Sequence, residues 1–165
     1  MSKTISDTEY QLLKKFLDCH FKLFYPKNLP PPPESPSEFL RKIEATSLSN
    51  AKRGLQMAIN DTIEEITDWS PQRIAEADAQ LAAAGVFTLS ELRKRYSKKY
   101  QAILKRGVIR NDTEFYIIKN IRDDGGVEKE ETPEGIQIQK MIEAYENHIM
   151  EKLEQNKLKI KKPKQ

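Results

Sequence analysis

The sequence predicts an all-α protein, an irregular bundle of six to seven helices. Polar helix caps precede apolar residues at helical spacing along most of the chain, most clearly at residues 6–9 (SDTE) and 88–91 (TLSE). The β-branched clusters at residues 108–109 and 116–118 are too short to indicate a sheet. With 38% hydrophobic and 32% charged residues, the composition excludes a bilayer-spanning chain and a wholly disordered one.

The first predicted helix covers residues 7–25 and begins after the Ser6 cap. Its apolar residues form two rows, a wider surface than one neighbouring element usually covers. Two alternatives follow: the row of Leu12, Phe16 and Leu23 could face outward, or the helix could fold back so that both rows are covered internally. Residues 26–37 then contain six prolines in twelve positions, which predicts an extended and rather stiff spacer. The helix (residues 1–25) and the spacer are therefore expected to stand apart from the rest of the chain.

The remaining helices are predicted from caps and glycine exits. They cover residues 36–45, 48–68, 71–84, 89–106, 112–124 and 133–155. Gly85 and Gly107 are placed to end two of them, and Gly125-Gly126 breaks a third. We expect residues 38–155 to form the helical domain and residues 156–165 to be a disordered basic tail.

The charge is unevenly distributed, although the net charge is only +3. Residues 93–110 contain eight basic residues and no acid, which we call the basic belt: Arg93, Lys94, Arg95, Lys98, Lys99, Lys105, Arg106 and Arg110. Residues 152–165 add six lysines against one glutamate, so the rest of the chain carries a net charge of −10. The sequence thus describes an acidic body with a basic belt and a basic tail.

A single helix over residues 89–106 would place six cations of the belt within one outward-facing sector of about 140° of the helix circumference. Tyr96 and Tyr100 would then face the core. Such a sector is suited to the phosphates of RNA or DNA, because each contact releases condensed counterions. We therefore predict a non-enzymatic binding protein that contacts a polyanion through the belt and the tail.

Four alternatives compete with this interpretation. The belt could be the ordinary solvated face of an amphipathic helix, or it could pair internally with a stripe of carboxylates on one helical face: Asp61, Glu64, Glu65 and Asp68. Metal binding by that stripe is a weaker possibility, since no Glu-x-x-His partner accompanies it. Finally, the outward row of the first helix could dock a protein partner or a second copy, as in a regulator, immunity protein or antitoxin.

Nothing in the sequence favours an enzyme, although a site built from distant residues stays open. Cys19 and His20 are adjacent and point about 100° apart on a helix, so they cannot act as nucleophile and base. One cysteine and two histidines do not complete a usual zinc site, and no phosphate-binding loop occurs. We expect no cofactor and no metal. Met1 is followed by Ser2 and Lys3 rather than by an apolar segment, so we expect a cytoplasmic protein that does not insert into a membrane.

Overall fold

A computed structural model of the chain describes residues 5–123 and 132–161. Within these ranges the chain is helical and contains no β-strand, so the all-α prediction is confirmed. The eight described α-helices are α1 (Asp7–Phe24), α2 (Pro36–Glu44), α3 (Leu48–Glu65), α4 (Pro71–Ala83), α5 (Leu89–Tyr96), α6 (Lys98–Arg106), α7 (Asp112–Asp123) and α8 (Pro133–Ile160). A short 3₁₀ turn, Ile66–Asp68, follows α3. The predicted break at Gly125-Gly126 lies outside the described residues.

Most helices begin where the caps predict. In each case the cap side chain accepts a hydrogen bond from the backbone N–H three residues further on, at Ser6, Ser35, Ser47, Ser70, Thr88 and Thr132. At Ser6 the capping is not reciprocal, however. The Glu9 carboxylate accepts a hydrogen bond from the Tyr96 hydroxyl instead of from the backbone N–H of Ser6. Gly85 and Gly107 have φ of 72° and 74°, the left-handed conformation predicted for both helix exits.

The chain forms two compact units, which divide between Ser97 and Lys98. Unit 1 contains α1 to α5, and its core is built on large side chains from these helices, among them Tyr10, Leu55 and Leu81. Unit 2 contains α6 to α8, with Tyr100 and Ile118 in its core. These boundaries differ from the predicted ones at residues 25, 37 and 155.

The first helix is part of unit 1 rather than a separate arm. The Lys14 ammonium lies 2.5 Å from a carboxylate oxygen of Glu44 at the end of α2, and the Tyr10 hydroxyl donates to the same oxygen at 2.8 Å. At the C-terminal end of the spacer, the Ser37 N–H donates to Asp18 of α1 at 2.9 Å. The proline-rich connection therefore returns the chain onto α1 instead of holding α1 away.

The alternative in which the row of Leu12, Phe16 and Leu23 faces outward is wrong at its centre. Phe16 is 0% exposed and lies in the core of unit 1, and Leu23 is partly buried against that core. Only Leu12, at 44%, is exposed. Both apolar rows are largely covered within the unit because α1 packs against α2, α3 and α4.

The last helix is longer than predicted. α8 continues through residues 156–160, where a disordered tail was expected, and ends at Ile160. Its first half is held in the core of unit 2 by Ile138, Met141 and Ile142. From Glu146 onward its residues are exposed, with the exception of a half-buried Ile149.

Replacing Phe16 by alanine is expected to destabilise unit 1 by about 3 to 5 kcal/mol, because it leaves a cavity in a filled core. The matched change Leu12→Ala removes an exposed side chain and is expected to cost under about 1 kcal/mol. Trp69 is the only tryptophan of the chain and belongs to the core of unit 1, so its fluorescence during urea unfolding reports on this unit. Equal losses in the two variants would contradict the burial of Phe16.

Candidate nucleic-acid interface

The basic belt lies on two helices, not on one. Ser97 has φ −67° and ψ 107°, an extended conformation that ends α5 one residue before α6 begins. The helix predicted over residues 89–106 is therefore wrong in its continuity, and the single sector of six cations does not exist. The division between the two units falls at the same place, between Ser97 and Lys98.

The break has a physical reason. Leu89 and Leu92 are fully buried in the core of unit 1, whereas Tyr100 and Ile103 are buried in the core of unit 2. The apolar residues on either side of Ser97 thus supply two separate cores, each of which sets the orientation of its own helix. Serine is also a weaker helix former than the residues around it, which is the only local signal of a break.

Arg93, which was predicted to contact nucleic acid, is buried in unit 1. Its side chain is 6% exposed in unit 1. The guanidinium donates to the backbone carbonyl of Ile66 at 2.5 Å. Ile66 follows the last residue of α3 and begins the short 3₁₀ turn. Arg93 therefore stabilises the junction of α3 with α5 from inside the unit.

The other two cations of α5 have different surroundings. The Arg95 guanidinium lies 4.9 Å from the centroid of the Phe87 ring, a cation–π contact at an exposed position. Lys94 is half-buried. Both belong to unit 1, so they do not share a helix face with the cations of α6.

Asp78 of α4 fixes the start of α5, a role that no pattern in the sequence indicates. One carboxylate oxygen accepts from the Leu89 N–H at 2.7 Å, and the other accepts from the Ser90 hydroxyl at 2.5 Å. Burial raises the pKa of Asp78, while these hydrogen bonds and the Arg93 charge act in the opposite direction. The carboxylate is thus used to hold α5 in place.

One further cation of the belt, Arg106, is held by contacts within unit 2. The Arg106 guanidinium pairs with the Glu114 carboxylate and also donates to the Val108 carbonyl at 3.0 Å. The Arg110 backbone N–H donates to the same carboxylate at 2.8 Å. Desolvation pushes the pKa of Glu114 upward, but the bonds from Arg110 and Arg106 and their charges outweigh it and hold that pKa low. Arg106 is therefore a structural cation, whereas the Arg110 side chain is exposed.

The three lysines of α6 remain. Lys98, Lys99 and Lys105 are exposed, and none forms an ion pair within the described part of unit 2. Lys98 and Lys105 lie about 20° apart around the helix and about 10 Å apart along it. These side chains form a short cationic face.

The opposite side of α6 is held by α8. The Tyr100 hydroxyl donates to the Glu134 carboxylate at 2.8 Å, and the Gln137 amide donates to the Leu104 carbonyl at 2.8 Å. Burial, followed by the hydrogen bond to Glu134, raises the pKa of Tyr100. Tyr100 is fully buried and Tyr96 is packed against the core of its own unit, which agrees with the prediction that both face the core.

The acidic stripe does not fasten the belt within unit 1. Asp61, Glu64, Glu65 and Asp68 are all exposed, and none forms an ion pair with a described residue of that unit. No group of three or more histidine, cysteine or acidic side chains suited to a metal ion occurs among the described residues. The stripe is therefore a solvated helix face in this unit.

Cys19 and His20 do not form a catalytic pair. Cys19 packs against the core of unit 1, and His20 lies between Phe16 and Phe24, with ring centroids 5.6 and 5.0 Å away. The His20 Nε2 atom is buried and has no hydrogen-bond partner among the described residues. Burial lowers the pKa of His20, partly opposed by the Glu65 charge.

No protein-family model, curated protein or solved structure matches this chain. None of the described helices is long and apolar enough to cross a membrane.

Replacing Arg93 by alanine is expected to destabilise unit 1 by about 2 to 3 kcal/mol, because it leaves the buried Ile66 carbonyl without its donor. The control Arg95→Ala loses an exposed cation–π contact and should cost under about 1 kcal/mol. Urea unfolding followed by Trp69 fluorescence measures both. If Arg93 were a surface cation, the two variants would behave alike.

Unit 1 is expected to lose stability as the pH falls below about 6.5, the ordinary pKa of histidine, since the unfolded chain then binds a proton that buried His20 resists. The slope is at most about 1.4 kcal/mol per pH unit for one proton. The variant His20→Phe should remove this part of the pH dependence of urea unfolding. The same change at the exposed His148, which lies in unit 2, should leave it in place.

Proposed function

We propose that unit 2 binds the phosphate backbone of RNA or DNA through the lysines of α6, without catalysing a reaction. The observation that carries this proposal is the cationic face of Lys98, Lys99 and Lys105, which is exposed and makes no ion pair in the described part of the unit. Arg110, exposed just beyond α6, extends the charge. Arg93 and Arg106 are left out because their guanidinium groups bind groups of the protein.

The distribution of charge supports the same unit. Residues 98–165 carry 15 lysines and arginines against 12 acidic residues, whereas residues 1–97 carry 13 of each. The whole net charge of +3 therefore belongs to unit 2. A local excess of positive charge raises the rate and the strength of association with a polyanion.

The proposed mode of binding is independent of base sequence. Lysine ammonium groups are point charges that contact phosphate oxygens, and phosphate contacts position a nucleic acid without distinguishing its bases. Because Tyr100 is used in the core, α6 offers no aromatic ring for base stacking. We therefore expect weak sequence preference and a steep dependence on salt.

We do not propose that α1 docks a partner or a second copy through the row of Leu12, Phe16 and Leu23. That proposal needed Phe16 at the surface, and Phe16 is enclosed in the core of unit 1.

The variant Lys98→Gln/Lys99→Gln/Lys105→Gln is expected to weaken binding to a fluorescein-labelled 20-nucleotide RNA and to a 20-base-pair DNA. If each lysine neutralises one phosphate, the slope of log Kobs against log salt concentration should fall by about 2 to 3. Fluorescence anisotropy between about 50 and 200 mM salt measures that slope.

The matched control is Lys15→Gln/Lys22→Gln/Lys27→Gln, which removes three exposed lysines from unit 1 and changes the net charge equally. Its slope should equal that of the wild type. No measurable binding by the wild type at 50 mM salt, or an equal loss in the two variants, would overturn the proposal.

A further inference from the structure

The second half of α8 is exposed and packs on no other helix in the described part of unit 2. We call residues 146–161 the distal segment; they are exposed apart from a half-buried Ile149. At 1.5 Å per residue the segment extends about 24 Å beyond the part of α8 that packs in unit 2. Such a segment gains nothing from tertiary packing, yet it carries large apolar side chains: Leu153 is 50% exposed and Ile160 is 84% exposed.

These apolar residues form a narrow seam. Ile149, Leu153, Asn156 and Ile160 are spaced by four, three and four residues. At 100° per residue they fall within about 60° of the helix circumference, in line with buried Ile142. Over these twelve residues the alternating spacings of four and three match the seam positions of a two-stranded coiled coil; Glu146 occupies the preceding seam position, so the apolar seam begins at Ile149.

The seam is poorly suited to a lipid surface. Helices that lie in a membrane interface present a broad apolar face, whereas here Leu158, 66% exposed, lies on the opposite side of the helix from Leu153 and Ile160. The seam also contains the amide side chain of Asn156. This amide interrupts the apolar surface that would insert into a lipid interface.

The charges beside the seam are of one sign in its second half. Lys157 borders it on one side, and Lys152 and Lys159 border it on the other, each about 60° to 110° from the seam's centre. All three lysines are exposed. The acids Glu151 and Glu154 lie farther round the helix, toward its back.

This arrangement disfavours a second copy of the chain. In a parallel pair, Lys152 would face Lys157 of the other copy, because residues that flank the seam and are five apart meet across the interface. In an antiparallel pair that matches Ile149 with Ile160, Lys152 would face Lys159. Either orientation places like charges together, which costs stability.

We propose that the distal segment docks an acidic amphipathic helix of another protein and forms a short two-stranded coiled coil with it. The apolar residues of that helix would cover Ile149, Leu153 and Ile160, and its flanking carboxylates would meet Lys152, Lys157 and Lys159. The positive flanks select the charge of the partner, and the seam selects its helical form. This site is separate from the lysines of α6.

The test uses two synthetic 21-residue helices as probes. Both have leucine at the seam positions and one asparagine to face Asn156; one has glutamate and the other lysine at every flanking position. Binding to the full-length protein is measured by isothermal titration calorimetry. We expect the acidic probe to bind at least tenfold more tightly than the basic probe, and high salt to reduce the difference.

Three variants of the full chain define the contact. Leu153→Ser/Ile160→Ser should abolish binding of the acidic probe, while Leu158→Ser, an equally exposed apolar residue on the back of the helix, should not change it. Lys152→Glu/Lys157→Glu/Lys159→Glu should reverse the preference and bind the basic probe. The α6 variant used for nucleic acid should bind the acidic probe like the wild type, so the two proposals fail separately.

Other occupants give distinct results. Equal binding of the two probes, or none, overturns the proposal, provided that circular dichroism shows folded protein. Sedimentation equilibrium should show a monomer; a dimer that Leu153→Ser/Ile160→Ser dissociates would assign the seam to a second copy. Vesicles of phosphatidylcholine with 30% phosphatidylserine, or the labelled RNA, would take the partner's place if their binding depended on Leu153 and Ile160.

Discussion

The interruption of the helix at Ser97 determines the rest of the structure. On one side of it, Leu89 and Leu92 complete the core of unit 1; on the other, Tyr100 and Ile103 complete the core of unit 2. Because a buried side chain fixes the rotation of its helix, α5 and α6 each take the orientation that their own core requires. The positive charges of residues 93–110 are consequently divided between two bodies, and only those of α6 form a face within unit 2.

The helix boundaries marked by capping residues and glycines were predicted well because they rest on local interactions. Ser35, Ser70 and Thr88 accept hydrogen bonds from N–H groups three residues away, and these contacts depend on the sequence nearby rather than on the tertiary fold. The left-handed φ of Gly85 and Gly107 is local in the same sense. A capping pattern in the sequence was therefore enough to place both ends of α4.

The failures concern residues whose role depends on distant parts of the chain. A count of charges along the sequence treats Arg93 as a surface cation. Its guanidinium instead donates to the Ile66 carbonyl, 27 residues earlier in the chain. Phe16 lies in one of two apolar rows, which together are wider than one neighbouring helix would cover. In the structure α1 packs against three helices, and Phe16 is buried. The charge pattern singled out the α6 lysines, which are exposed, together with Arg106, whose partner Glu114 lies in the next helix. Long-range packing decides such cases, and a single sequence does not contain it.

The exposed half of α8 also affects how unit 2 unfolds. With no side chains packed on it, its backbone order depends on residue propensities and on its connection to a folded helix, so it frays from its free end. Its helix–coil equilibrium is therefore decoupled from the cooperative unfolding of the domain behind it. Heating or mild denaturant shortens α8 gradually, turn by turn, before the core of unit 2 opens.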